Sequence, residues 1–166
     1  MDGGAHSIFI RISLRNFFLM EWFNEKFVIS THKGRLDIHF IHHYLSTQSY
    51  WSQYIPMDVV KKCIEGSICF GLYIDAEQIG FARVVTDCAS FAYLCDVFID
   101  EKYRGRGLSK WLLEVILSHP DLQGLRRFLL ATRDAHGLYE QYGFSLLNSP
   151  ERWMQIHNPD VYKKSG

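Results

Sequence analysis

No stretch of this 166-residue chain is long enough and free enough of charge to span a bilayer. Its N-terminal apolar run is broken by Arg11 and Arg15, and an acid, Asp2, stands where a secretory signal carries basic residues. C-x-x-C spacing is absent from its four cysteines, Cys63, Cys69, Cys88 and Cys95. Three of them lie in apolar segments, so they read as reduced core thiols of a cytoplasmic protein, not as a disulfide framework or a zinc site. Charge imbalance is absent too: 18 basic residues meet 18 acidic ones, which excludes nucleic-acid binding through bulk charge. There are no internal repeats and no low-complexity linkers. No Gly-Lys-Ser/Thr run marks a P-loop, and the third glycine of a dinucleotide fingerprint is replaced by Lys110.

What is present centres on residues 93–117. Residues 93–99 are apolar, β-branched or aromatic with one acid, Asp96, and predict a buried strand. Residues 100–107 are charged and glycine-rich, which predicts a turn. From Leu108 the apolar positions become Trp111, Leu112, Val115 and Ile116, the spacing of a helix with one core face. A strand, a glycine turn and a helix N-terminus together favour an anion, because backbone N–H groups approach the ligand and the helix dipole adds to them.

Residues 1–20 read as a leader, disordered or appended upstream of a natural start near Met20. An extra edge strand or a partner-binding arm is the alternative. Residues 21–166 read as a single domain. A strand is expected at 26–31. Asp37 caps a helix through Ile38, Ile41, His42 and Leu45, and Pro56 opens a second helix over 57–65 that Gly66 ends. Strands at 67–74 and 78–86 make a hairpin about residues 75–77. A strand at 126–132, a helix at 134–142 and two closing strands at 144–147 and 153–156 complete the chain.

Arg104-x-x-Gly107-x-Ser109 resembles motif A of the GNAT superfamily of N-acetyltransferases, Arg/Gln-x-x-Gly-x-Gly/Ala, with Ser109 in place of the small final residue. Ala135-x-x-x-Tyr139-x-x-x-Gly143-Phe144 is similar to the family's motif B. The resemblance covers about residues 27–156, and the order β-α-α-β-β-β-α-β-α-β-β is the one this family uses. It implies an α/β (α+β) fold: a mixed sheet of six or seven strands with flanking helices, in which the central strand splays from its neighbour.

The activity implied is transfer of acetyl from acetyl-CoA to a primary amine, directly and without metal. By resemblance, Val97, Phe98 and Ile99 hold the pantetheine arm through free backbone groups. Arg104, Gly105, Arg106, Gly107, Leu108, Ser109 and Lys110 wrap the pyrophosphate. The family often has Asn where Thr132 stands; Thr132 is the cofactor-binding candidate there, with Arg133 or Asp134 as substitutes. Tyr139 aligns with the general acid, since a phenol can protonate a departing thiolate.

Asp96 is the candidate general base, or the anchor of a base water. Alternation puts it on the face of Leu94 and Phe98, where desolvation raises a carboxyl pKa. A structural hydrogen bond is its competing role. Tyr50, Trp51, Arg83 and Tyr93 are the acceptor-site candidates, with Asp87 weaker. His39, His42 and His43 share a helix face but lack an accompanying acid or cysteine at ligand spacing, so no metal is expected. The expected partner is a small-molecule or peptide amine, with no nucleic acid and no membrane; a homodimer is common in the family. A non-catalytic acyl-CoA-binding module, or an interaction domain without cofactor, would share the scaffold.

Overall fold

The computed structural model describes residues 8–9 and 19–163. Seven strands form one sheet in chain order: β1 (Ile8–Phe9), β2 (Glu21–Asn24), β3 (Phe27–Ser30), β4 (Ile68–Ile74), β5 (Glu77–Thr86), β6 (Phe91–Ile99) and β7 (Arg127–Leu130). Neighbours are antiparallel through β6, and β7 runs parallel to β6. A parallel neighbour needs a crossover, and the helix α3 (Leu108–Ser118) supplies it. The helices α1 (Ile38–His43) and α2 (Met57–Glu65) connect β3 to β4, and α4 (His136–Glu140) follows β7.

Each sheet face carries its own core. On one, Trp111, Leu112, Val115 and Ile116 of α3 pack on Ile29, Phe70, Leu72, Val84 and Leu94. On the other, Ile41, Leu45, Val60 and Ile64 from the first two helices and their connection pack on Cys69, Phe81 and Phe98. All five apolar positions expected to face inward from α3 are buried. Asp37 accepts the Phe40 amide at 3.0 Å as the cap of α1, and Pro56 and Gly66 bound α2 as expected. After α1 the chain makes a π-helical turn (Tyr44–Gln48) before its aromatic loop.

Strand β6 changes phase midway. Asp96 adopts a left-handed conformation, φ 54°, and the register with β5 slips between Phe81 and Arg83. This is a β-bulge. Ahead of it, Leu94 faces the α3 core; beyond it, Phe98 faces the α1–α2 core. Strict alternation had placed Leu94, Asp96 and Phe98 on one face, and the extra residue is why that expectation fails for Leu94.

Other differences lie at the chain ends. β2 was not foreseen: it pairs with β3 through a two-residue turn in which Glu25 takes φ 52°. Of the expected leader, residues 1–7 and 10–18 lie outside the described residues. Ile8 and Phe9 pair with Trp22 and Glu21 at the sheet edge, and Met20 is buried. No strand follows Leu130 among the described residues, which corrects the expectation at 144–147 and 153–156. A cavity of about 700 Å³ lies between β7 and residues 143–149, so the first of these segments has no ladder partner there. Leu146, Met154 and Ile156 are exposed. Apolar composition alone does not make a strand; hydrogen-bonded pairing does.

His119 ends α3 with its ring buried between Trp22 and Phe70, and its Nδ1 accepts the Asp121 amide at 3.2 Å. Burial lowers its pKa below the ordinary value near 6.5. Protonation therefore favours the unfolded chain. The stability that the neutral ring contributes is present above the ordinary value and is lost as pH falls toward the folded one. The expected result is a melting temperature that falls between pH 7.5 and 5.5 by more in the native protein than in His119→Asn, whose amide oxygen keeps the cap. Equal falls would remove this assignment.

Candidate active site

The site begins where two strands part. β6 and β7 pair only from Phe91↔Arg127 to Leu94↔Leu130. Beyond Leu94 the register has no β7 partner, so residues 95–99 keep a free edge on that side while Phe98 and Ile99 still pair with β5. A cavity of about 200 Å³ fills the opening, with Tyr93, Asp96 and Val97 on one wall, Thr132 and Tyr139 on the other, and Tyr50 and Trp51 beside them.

Tyr139 reaches this cavity from α4 and also lines a neighbouring one of about 280 Å³. Its ring meets Phe144 edge-on at 5.9 Å. Burial pushes its phenol up to about 12. A phenol raised that far keeps its proton throughout the neutral range, so it is a hydrogen-bond donor there.

From Ile99 the chain continues directly into the glycine turn. Gly105 and Gly107 both take φ 75°, where an L side chain is strained, although a Cβ would meet nothing within 4 Å. Glycine is needed here for backbone shape, not for room. Gly107 caps α3 with no side-chain hydrogen bond, so the first-turn amides are not satisfied by a cap. Arg104 is fastened beneath the turn: its Nε donates to the Ile99 carbonyl at 3.1 Å, and its guanidinium reaches the Tyr44 hydroxyl at 3.0 Å and Glu101 at 3.4 Å. Arg106 and Lys110 are exposed, Ser109 is half-buried, and Leu108 enters the core.

Asp96 is not the isolated acid expected from its apolar neighbours. Its Oδ2 is paired with Arg83 Nε at 2.5 Å, and its Oδ1 accepts the Trp51 indole N–H at 3.0 Å. Burial works against the charge on Arg83, but the adjacent carboxylate outweighs it and raises the guanidinium pKa.

A sequence model of the acetyltransferase (GNAT) domain matches residues 65–146. A curated Gibberella zeae protein, named provisionally as an acetyltransferase, is 31% identical over 140 residues, 71% of this chain and 78% of the relative. The chain belongs to the GNAT acetyltransferase family. The crystal structure of a GNAT-family protein from Xanthomonas campestris pv. campestris matches with a TM-score of 0.81 at 48% identity, covering 82% of this chain and 96% of that one. A GNAT acetyltransferase from Elizabethkingia anophelis, solved with acetyl-CoA bound, shares the fold at 15% identity and a TM-score of 0.57, over 75% of this chain and 80% of its own.

Against the GNAT pattern the remaining candidates divide. Tyr50, Trp51 and Tyr93 converge on the Tyr139 cavity. Arg83 does not: it lies behind the bulge, spent on Asp96 and on the Ser67 hydroxyl at 3.2 Å, because its position on β5 faces the α1–α2 core. Thr132 lines the cavity, but its Oγ1 already accepts the Ala135 amide at 3.1 Å. Asp87 accepts the Ser90 hydroxyl at 2.6 Å and the amides of Ser90, Phe91 and Ala89 in the β5–β6 turn, which together hold its carboxyl well below the usual range; it is a turn-builder. His42 Nε2 lies 3.0 Å from the Ile55 carbonyl. No group of three potential metal ligands occurs among the described residues, and no helix there is long and apolar enough to cross a membrane.

Two contributors escaped the sequence. Tyr44 stacks on Phe98 at 3.7 Å and also holds Arg104. Arg133 donates its backbone N–H to the Tyr50 hydroxyl at 3.0 Å and lays its guanidinium over that ring at 3.8 Å. Tyr44 read only as one more residue after the first helix. Arg133 was visible solely as a substitute for the missing Asn, and nothing local pointed to Tyr50.

Proposed function

We propose that this protein transfers the acetyl group of acetyl-CoA to a primary amine by direct attack in a ternary complex. The observation that carries this reading is the free edge of β6 beside Tyr139, continuous in the chain with the glycine turn at the start of α3. The groups on the β6 edge that faces away from β5, about Val97, suit the amide-bearing pantetheine arm, while Phe98 is paired with β5 and the Ile99 carbonyl is taken by Arg104 Nε. The amides about residues 105–110, with the dipole of α3, suit a diphosphate. Arg104 supports the turn from below, while Arg106 and Lys110 are free to face phosphate charge.

In the reaction a neutral amine nitrogen attacks the thioester carbon. The C–N bond forms, the C–S bond breaks, and the proton lost by nitrogen is balanced by the one gained at sulfur. Backbone N–H groups of β6 stabilise the intermediate oxyanion. Tyr139 donates a hydrogen bond to sulfur as it departs. A phenol near 12 is a weak acid toward a thiolate, so its contribution is a shared proton in the transition state. Asp96, with one oxygen on Arg83 and the other on Trp51, serves as an anchor, and the amine proton leaves to water. No cysteine is required for an acyl-enzyme: burial pushes both Cys69 and Cys95 up to about 12, far from a reactive thiolate.

Saturating acetyl-CoA, at about 100 times its Kd, is expected to stabilise the fold by about 2.7 kcal/mol, raising the melting temperature by roughly 5 to 10 °C. Gly107→Ala forces a side chain into the left-handed region, at a cost of about 1 to 2 kcal/mol, and should abolish most of the ligand-induced rise. An unchanged rise in that variant would remove the diphosphate assignment. Thiol release on addition of amines is the test of turnover. Stabilisation without release under any amine would make the protein a non-catalytic acyl-CoA-binding module.

A further inference from the structure

The aromatic loop after α1 is a strap across the mouth of the splay, and it is fastened on both banks. At its base Ser49, buried, donates to the Leu45 carbonyl at 2.6 Å and accepts the Ser52 amide at 3.1 Å. Ile55 returns the chain to the core. On the β6 bank, Trp51 is tied to Asp96 at the bulge. On the β7 bank, the Tyr50 hydroxyl takes the Arg133 amide, and the Arg133 guanidinium covers the Tyr50 ring. The two rings meet edge-on at 5.0 Å, so the fastenings act through one aromatic pair.

We infer that this strap fixes the acceptor class: a compact primary amine with an aromatic or apolar body, not a lysine or terminus presented by a polypeptide. The inference rests on the acetyltransferase reading and adds the acceptor to it. The cavity that the strap bounds is about 200 Å³, below the range of about 300 to 1,000 Å³ usual for drug-sized ligands; the neighbouring one of about 280 Å³ that Tyr139 also lines has neither strap ring on it. Its acceptor end is bounded by Tyr50, Trp51, Tyr93 and Tyr139, with Asp134 also on its lining. The rings favour an arriving ammonium and an apolar body, while the Asp134 carboxylate is paired with the Arg133 guanidinium at 3.6 Å. A lysine brings chain on both sides of its stem and an N-terminus brings chain on one, and the tethered rings of Tyr50 and Trp51 stand at the cavity that either must enter. Asp96 is here a positioning residue: its two carboxylate oxygens are held by Trp51 and Arg83, and it acts on the acceptor through the ring it orients.

The test compares phenethylamine with a lysine-containing tetrapeptide and a free peptide N-terminus, following thiol release from acetyl-CoA. Phenethylamine is expected to be turned over with kcat/KM roughly tenfold or more above either peptide. Trp51→Phe keeps a ring but loses the indole N–H; Tyr50→Phe keeps its ring but loses the hydroxyl that takes the Arg133 amide. Each should raise KM for phenethylamine several-fold with kcat little changed, and the double variant should gain peptide turnover. The acetyl-CoA-induced rise in melting temperature should stay at its native size, which separates loss of the strap from loss of the fold. Preference of the native protein for a peptide, or strap variants that lower kcat and leave KM alone, would overturn the strap while sparing the transferase. Absence of thiol release with all amines would take both away.

Discussion

Tyr139→Phe should lower kcat by about 10²- to 10⁴-fold while leaving the acetyl-CoA-induced rise in melting temperature intact. The substitution deletes one hydroxyl from a side chain whose ring contact with Phe144 remains available to phenylalanine. Its effect should therefore fall on the departing sulfur, not on binding or folding. Because the phenol is held near 12 by burial, the native enzyme should show no loss of activity from Tyr139 ionisation below about pH 10. A kcat within threefold of native would mean that sulfur leaves unaided, and the acid assignment would fall.

Asp96→Ala should cost about 3 to 5 kcal/mol of stability, the usual result of deleting one partner of a buried ion pair. That corresponds to a fall in melting temperature of between about 6 and 20 °C for a domain of this size. The reason is local. The Arg83 side chain is only 15% exposed and has Asp96 and the Ser67 hydroxyl as its side-chain partners, so truncation strands its charge. The same position decides the base. Asp96→Asn keeps an acceptor for Trp51 and removes the titrating carboxyl. If Asp96 is an anchor, the acidic limb of the kcat/KM profile survives in that variant; if it is the base, the limb disappears. A small stability change in Asp96→Ala would show that Arg83 finds solvent or another partner.

The parts of this molecule that the sequence discloses are those governed by local rules. Gly105 and Gly107 announce a backbone that other residues resist, and the spacing from Leu108 to Ile116 announces a buried helix face; both hold in the structure. Asp37, Pro56 and Gly66 mark helix ends through short-range chemistry. The failures are long-range. Trp22 sits in a short, mixed run, Glu-Trp-Phe-Asn, and only pairing with β3 makes it a strand. Residues 144–147 and 153–156 are mostly apolar, as short strands often are, yet a cavity separates the first of them from β7. The bulge at Asp96 leaves no trace in composition, and so the carboxylate's partners, Arg83 and Trp51, could not be foreseen. Tyr44 and Arg133 enter the site region through contacts 60 and 83 positions away along the chain.

The single left-handed residue in β6 also bears on how the chain can be compared with others. A relative lacking the counterpart of Asp96 would run straight through this point with its counterparts of Phe98 and Ile99 still aimed at the same two interiors, because the bulge is one residue added to an otherwise regular ladder. A gap placed there in any pairing of sequences therefore forecasts an unchanged strand direction and a missing carboxylate, with the counterparts of Arg83 and Trp51 left to other partners.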